Sequence, residues 1–91
     1  MDRIRIVISG PLRLRIGREI DIESSEGISI FNIIDILRER YEKDIGRGHQ
    51  SFNQLMNQII FLIDGKRWDK KEDIKVKPGT QINVIHMLNG G

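Results

Sequence analysis

Residues 29–41 read SIFNIIDILRERY, and this stretch decides the fold because its apolar side chains recur with the period of an α-helix. The apolar positions that would share one face of that helix are Ile30, Ile33, Ile34, Leu37 and Tyr41. Ser29 is suited to cap the N-terminus, and Gly46 stands where a left-handed residue would end the helix. The pattern therefore predicts one helix of about four turns.

Two strands are predicted before this helix. Residues 3–9 alternate apolar with mostly polar side chains, which is typical of a strand with one buried face, and the alternation resumes over residues 12–22. Gly10 and Pro11 separate the two stretches, and Gly17 predicts a bulge or bend inside the second. The expected unit is a hairpin.

More strands are predicted after the helix. Residues 47–58 are polar and predict a connecting loop that contains a short helical turn. Asp64 and Gly65 supply the two positive-φ residues of a type I′ hairpin turn, and Pro78-Gly79 predicts another turn. The strands bounded by these turns are residues 59–63, 66–68 and 81–87.

One helix among several strands can bury its apolar face only against one face of a sheet. The sequence therefore predicts an α+β domain at residues 1–87, followed by a flexible tail at residues 88–91. Trp68 is expected to pack as part of the core, although a tryptophan beside a turn also suits a contact role.

Several function classes are excluded by composition. The chain has no cysteine, so it offers neither a disulfide, nor a thiolate zinc site, nor a thiol nucleophile. His49 and His86 have no carboxylate spacing around them, so we expect no metal site. The charged stretch that contains Asp69, Glu72 and Asp73 pairs no carboxylates across a pocket, so we assign it no catalytic role. We expect a protein that is not itself an enzyme.

Neither a signal peptide nor a membrane span is indicated. Residues 1–5 lack the apolar core of a signal peptide, and the longest apolar run, residues 59–63, is too short to cross a bilayer. We therefore expect a cytoplasmic protein without membrane contact.

Basic residues are concentrated near the start of the chain, although 15 basic and 13 acidic residues give a net charge of only +2. The arginines in question are Arg3, Arg5, Arg13, Arg15 and Arg18. They suit either a solvated strand face or, in an alternative interpretation, an interaction module that binds RNA or an acidic protein. Few aromatic residues are available to stack on bases, so we expect no RNA contact.

Three stretches together resemble the ubiquitin-like β-grasp superfamily: IDGK at residues 63–66, VKPGTQINV at residues 76–84, and a chain that stops at Gly90-Gly91. The resemblance implies a mixed sheet of four to five strands with the main helix across one face. Within the superfamily the chain is similar to molybdopterin synthase small subunits, archaeal ubiquitin-like small modifiers and the ubiquitin-related modifier of tRNA thiolation. Its Met87-Leu88-Asn89 segment lacks the proline usual in the first group and is closer to the last.

What the resemblance implies is a carrier role for Gly91. In these families an E1-like enzyme uses ATP to adenylate the C-terminal carboxylate, which becomes a thiocarboxylate or is joined to lysines of target proteins. The partners would be that enzyme and a sulfur-accepting enzyme or target protein, and the chain itself would bind no cofactor. The tail that presents the carboxylate would comprise Met87, Leu88, Asn89, Gly90 and Gly91.

Strand phase predicts where a partner would dock. The face toward the helix would hold Ile59, Phe61, Ile63, Ile82 and Val84. The opposite face would hold Val7, Ile60, Leu62, Ile85 and Met87. An apolar cluster beside the tail is typical of a docking site. The alternative is that residues 47–58 fold over this cluster and make it core.

Overall fold

The computed structural model describes residues 2–44 and 51–87. Within these ranges the strands are β1 (Arg3–Ser9), β2 (Glu19–Glu23), β3 (Ile28–Ser29), β4 (Ile59–Ile63), β5 (Lys66–Arg67), β6 (Lys75–Val76) and β7 (Gln81–His86). The helices are α1 (Arg13–Ile16), α2 (Ile30–Asp44) and α3 (Phe52–Met56).

Five strands form a mixed sheet in the order β2-β1-β7-β4-β5. The neighbours β1 and β7 are parallel, whereas β1–β2, β4–β7 and β4–β5 are antiparallel. Strands β3 and β6 form a separate two-stranded ladder. The predicted α+β fold, with a mixed sheet and one main helix, is confirmed.

The core lies between α2 and one face of the sheet. Its fully buried members from the sheet include Ile4, Ile6, Ile59, Phe61, Ile82 and Val84, and those from α2 include Ile30, Ile33 and Leu37. Ile63 is partly buried and packs against this cluster. The predicted assignment of strand residues to the helix-facing side is therefore correct.

The predicted second strand is wrong over its first part. Residues Arg13–Ile16 form α1, and the strand begins only at Glu19. Leu12 and Ile16 are buried while Leu14 is 78% exposed, which is the outcome expected when i and i+4 share a helical face. Positions 12 and 16 fit either period, but Leu14 fits only a strand, so the alternation favoured a strand where the chain forms a short helix. The predicted bend is at Gly17, which ends α1 with φ of 98°.

The segment after α2 contains the predicted helical turn, α3. Ser51 and Gln54 form a reciprocal capping box: the Gln54 N–H donates to Ser51 Oγ at 3.2 Å, and the Ser51 N–H donates to Gln54 Oε1 at 3.0 Å. Phe52 and Leu55 are buried. Gly46, predicted to end α2, lies outside the described residues.

The second predicted hairpin is confirmed. Asp64 and Gly65 have φ of 48° and 84°, as a type I′ turn requires, and β4 pairs with β5. Trp68 follows β5 and is 7% exposed, with Nε1 donating to the Glu72 carbonyl oxygen at 2.8 Å. Its ring meets Phe61 edge to face at 5.6 Å between centroids. Trp68 is a core residue, as expected.

Candidate functional site

The sheet face opposite α2 presents the apolar residues predicted for docking. We call this set the open-face patch: Val7, Ile60, Leu62, Ile85 and Met87. The first four are half-buried and do not belong to the core cluster, and Met87 is 52% exposed. The structure thus brings all five to one face, although their role in docking remains a prediction.

Strand register shows how the patch is arranged. Ile60 is directly opposite Ile85, and Asn83 lies between Val7 on one side and Leu62 on the other. Arg67 of β5 is opposite Leu62 at the edge of the patch. Asn83 and Arg67 are therefore part of the surface. Asn83 shares the strand phase of Ile85 but was not predicted because only apolar residues were assigned to the patch, whereas the position of Arg67 depends on the pairing of β5 with β4.

The insertion after α2 does not cover the patch in the part that the structure describes. Phe52 of α3 packs on Tyr41 of α2 with 5.8 Å between ring centroids, and the Arg38 guanidinium lies 5.2 Å from the Phe52 ring centre. These contacts hold α3 on the helix side of the sheet. The alternative that residues 47–58 cover the open face is therefore wrong for residues 51–58, and residues 47–50 lie outside the described residues.

The patch continues to the point where the described chain ends. Ile85 and Met87 both belong to it, and the Met87 N–H donates to the Gln58 carbonyl oxygen at 3.0 Å. This bond extends the pairing of β7 with the β4 segment by one residue. Leu88, Asn89, Gly90 and Gly91 lie outside the described residues.

Four of the five arginines named above would form the basic strand face of the alternative RNA interpretation: Arg3, Arg5, Arg13 and Arg15. They do not share a strand face, so this predicted grouping is wrong. Arg3 and Arg5 lie on β1, where Arg5 Nε is 3.5 Å from Asp21 Oδ1 on the neighbouring strand. Arg13 and Arg15 lie on α1 instead. The basic residues near the start of the chain are thus divided between two sites, one of which is flanked by carboxylates.

Two titratable side chains near the site have shifted pKa values. Burial lowers the pKa of His86, the last residue of β7, whose Nε2 is 3.3 Å from Gln58 Oε1. Burial and, to a smaller degree, the Arg67 guanidinium lower the pKa of Lys70. The Lys70 Nζ donates to the Met56 carbonyl oxygen at 2.7 Å, so this ammonium stabilises the C-terminal end of α3.

No group of three metal-ligating side chains comes together within residues 2–44 and 51–87. Over the same ranges, none of the helices has the length and apolar character that crossing a membrane would require.

Asp73, one of the three acidic residues considered above, forms hydrogen bonds with Ser29 and with the main chain of α2. Its position is that of a structural residue.

A mixed sheet with a central parallel pair and one long helix across a single face is the ubiquitin-like β-grasp fold. The sequence matches no protein-family model and no curated protein. Its structure is similar to that of a Pyrococcus furiosus protein provisionally described as molybdopterin converting factor, subunit 1. The TM-score is 0.66 at 18% identity, covering 97% of this chain and 100% of the other. Such a likeness shows the fold and leaves function to be argued from the site.

Proposed function

We propose that this chain is a ubiquitin-like carrier whose Gly91 carboxylate is activated by a partner enzyme, for transfer of sulfur or for attachment to lysines. The observation that carries the proposal is the position of the open-face patch at the C-terminal end of β7. A partner that docks on Ile60, Leu62 and Ile85 would have the residues that follow Met87 next to its own surface.

The reach of the tail limits where the partner's active site would be. Four residues follow Met87, and a fully extended chain covers at most about 3.6 Å per residue, or roughly 14 Å in all. Gly90 and Gly91 have no Cβ, so they fit a narrow channel and adopt backbone conformations closed to other residues. Holding the tail in such a channel would cost conformational entropy, so the docking surface would have to supply compensating affinity.

The chemistry requires no catalytic group from this chain. An oxygen of the Gly91 carboxylate attacks the α-phosphorus of ATP and pyrophosphate leaves, which gives an acyl-adenylate. A hydrosulfide anion then attacks the carbonyl carbon, AMP leaves and a proton is lost, which gives a thiocarboxylate. If a neutral lysine amine attacks instead, AMP and a proton leave and an isopeptide bond forms. The partner enzymes would activate the Gly91 carboxylate, and the group that accepts the sulfur or the acyl chain would also belong to a partner.

Among these outcomes, sulfur transfer for molybdopterin synthesis is the first to test, because the similar Pyrococcus furiosus protein is described as a molybdopterin converting factor subunit. Sulfur transfer for tRNA thiolation is the second, because of the residues before the diglycine. Both use the same thiocarboxylate and differ only in the acceptor.

Intact-mass measurement tests the proposal. The full chain is incubated with ATP, sodium sulfide and each candidate E1-like activating enzyme from its genome. We expect one oxygen to be replaced by sulfur, and fragmentation should place the change at Gly91. The matched control lacks Gly91 and should remain unmodified. If no activating enzyme yields an adenylate, a thiocarboxylate or a lysine conjugate, the carrier function is wrong.

A further inference from the structure

Strand β2 forms one edge of the five-stranded sheet, with β1 as its neighbour. Two main-chain bonds define its orientation. The Ile8 N–H donates to the Arg18 carbonyl oxygen at 2.8 Å, and the Ser24 N–H donates to the Asp2 carbonyl oxygen at 2.9 Å. Because inward and outward groups alternate along an antiparallel strand, the even-numbered residues of β2 direct their N–H and C=O groups toward β1.

The odd-numbered residues of β2 therefore direct their main-chain groups away from the sheet. These residues are Glu19, Asp21 and Glu23. No strand in the part of the chain that the structure describes pairs with this side of β2. Unpaired groups along an edge are a template for an additional strand.

The two faces of this edge differ in chemistry. Glu19, Asp21 and Glu23 are exposed on the open face, where Arg5 lies 3.5 Å from Asp21 and 4.0 Å from Glu19. Ion pairs this exposed hold their partners weakly, so the carboxylates stay available to another cation. On the helix-facing side Ile20 is buried and Ile22 is only partly buried. An added strand would meet acidic side chains on one face and apolar ones on the other.

A second copy of this chain does not fit the edge. Antiparallel pairing of two β2 strands about Asp21 would put Asp21 opposite Asp21 and Glu19 opposite Glu23. Like charges directly opposite each other destabilise a sheet. The row of carboxylates at Glu19, Asp21 and Glu23 instead favours an added strand whose facing residues are basic.

We propose that β2 is a docking edge for an extended partner segment that alternates basic with apolar residues and adds a sixth strand to the sheet. Its basic side chains would pair with Glu19, Asp21 and Glu23, and its apolar ones would extend the surface at Ile22. Strand β2 is two positions from β7 in the sheet, which is about 10 Å. The segment would thus leave the end of β7 uncovered, and its binding does not depend on the chemistry of Gly91.

Residue-resolved hydrogen exchange on the full chain tests this edge, with a short peptide that alternates lysine and valine as the probe. The amides of Glu19, Asp21 and Glu23 should exchange about tenfold more slowly or better with peptide. The amides of Ile20 and Ile22 already bond to β1 and should not change. A peptide that alternates glutamate and valine is the control and should protect nothing.

Two variants distinguish the contribution of main-chain hydrogen bonds to peptide binding from the contribution of charge. Asp21→Pro removes one outward N–H and is compatible with an edge strand, so binding should fall by more than about tenfold. Asp21→Asn keeps the N–H and should weaken binding by only about twofold to fivefold. Should Asp21→Pro misfold, the exchange pattern and Asp21→Asn still decide. Deletion of Gly91 should leave peptide binding unchanged, whether or not the carrier function holds.

Three results would overturn the proposal. The first is protection spread equally over odd and even residues of β2, or centred on Ile60 and Ile85. The second is equal protection by the acidic peptide. The third is a peptide-free dimer, detected by sedimentation, that protects Asp21, because the edge would then be occupied by a second copy.

Discussion

Asp73 completes the N-terminus of α2 although it is 44 residues from Ser29 in sequence. The Ser29 hydroxyl donates to the two carboxylate oxygens of Asp73 at 2.6 and 2.7 Å. The Phe31 N–H donates to Ser29 Oγ at 3.1 Å and to Asp73 Oδ1 at 3.2 Å. The Asp73 carboxylate thus caps the helix together with Ser29. Its negative charge lies at the N-terminus of the helix, where the macrodipole favours an anion.

Asp73→Asn should lower the free energy of unfolding by about 1 kcal/mol, because it removes the negative charge from the helix N-terminus and weakens a charge-assisted hydrogen bond. Urea unfolding at neutral pH measures the change. Glu72→Gln, which removes a charge at the next residue, is the control and should have little effect. Equal effects of the two substitutions would show that the Ser29–Asp73 contact contributes nothing particular to stability.

Gly10 approaches the end of β7 more closely than any other residue type would permit. A Cβ at Gly10 would overlap the main-chain oxygen of His86, and its φ of 81° is already unfavourable for a side chain. Gly10→Ala should therefore destabilise the protein by several kcal/mol, against about 1–3 kcal/mol for Gly17→Ala, where only the backbone conformation is unfavourable. Gly17 is the control because its φ is 98° and nothing lies within 4 Å of a Cβ there. Thermal unfolding of the two variants should differ clearly, and equal melting temperatures would contradict the geometry.

His86 should make the stability depend on pH. Its Nδ1 is buried without a partner among the described residues, and burial lowers its pKa below 6.5. The unfolded chain therefore binds a proton more readily than the folded chain. The contribution of neutral His86 is complete above pH 6.5 and is lost as the pH falls from there through the folded-state pKa. Urea unfolding between pH 7.5 and about 5.5 should show this loss.

His49→Gln is a suitable background for that experiment because it removes the chain's other histidine. In this background, His86→Gln should flatten the pH dependence over the same range. A slope that persists without either histidine would assign the effect to carboxylates instead.

Local chemistry made parts of the fold predictable. The turn at Asp64-Gly65 requires positive φ at both positions, and the sequence supplies residues that tolerate it. The helix period around Leu37 has no competing interpretation. By contrast, β3 and β6 are two residues each and too short for any periodic pattern. The alternation at residues 12, 14 and 16 favours a strand, because four residues of helix are too short to show their own period.

The candidate site was predictable to the extent that it depends on strand phase. Leu62 and Ile85 follow from alternation along single strands. Asn83 has the same phase as Ile85 on β7, but a search for apolar residues passes over it. Arg67 does not follow from alternation, because it joins the patch only through the pairing of β5 with β4. The acidic edge at Asp21 was likewise hidden, since a sequence does not tell which strand lies at the edge of a sheet.

Docking and chemistry should separate when the open-face patch and the tail are changed independently. Leu62 is half-buried outside the core, and Arg67 lies opposite it, so Leu62→Asp should retain the fold. It should weaken binding of the activating enzyme by about 1–3 kcal/mol, or roughly 5-fold to 150-fold. Deletion of Gly91 should instead retain binding and stability but abolish activation.

Steady-state kinetics of pyrophosphate release, with the chain as the varied substrate, distinguish these two effects. Leu62→Asp should raise KM and leave kcat nearly unchanged, because saturating concentrations overcome a docking defect. Without Gly91, no concentration should restore turnover. Phe61→Asp is the control for folding: Phe61 is 0% exposed on the opposite side of the same strand, and an unpaired charge there should unfold the domain. If Leu62→Asp also unfolds it, Leu62 is core and the docking surface lies elsewhere. If Leu62→Asp leaves KM unchanged, the patch does not bind the activating enzyme, and turnover without Gly91 would disprove the carrier mechanism.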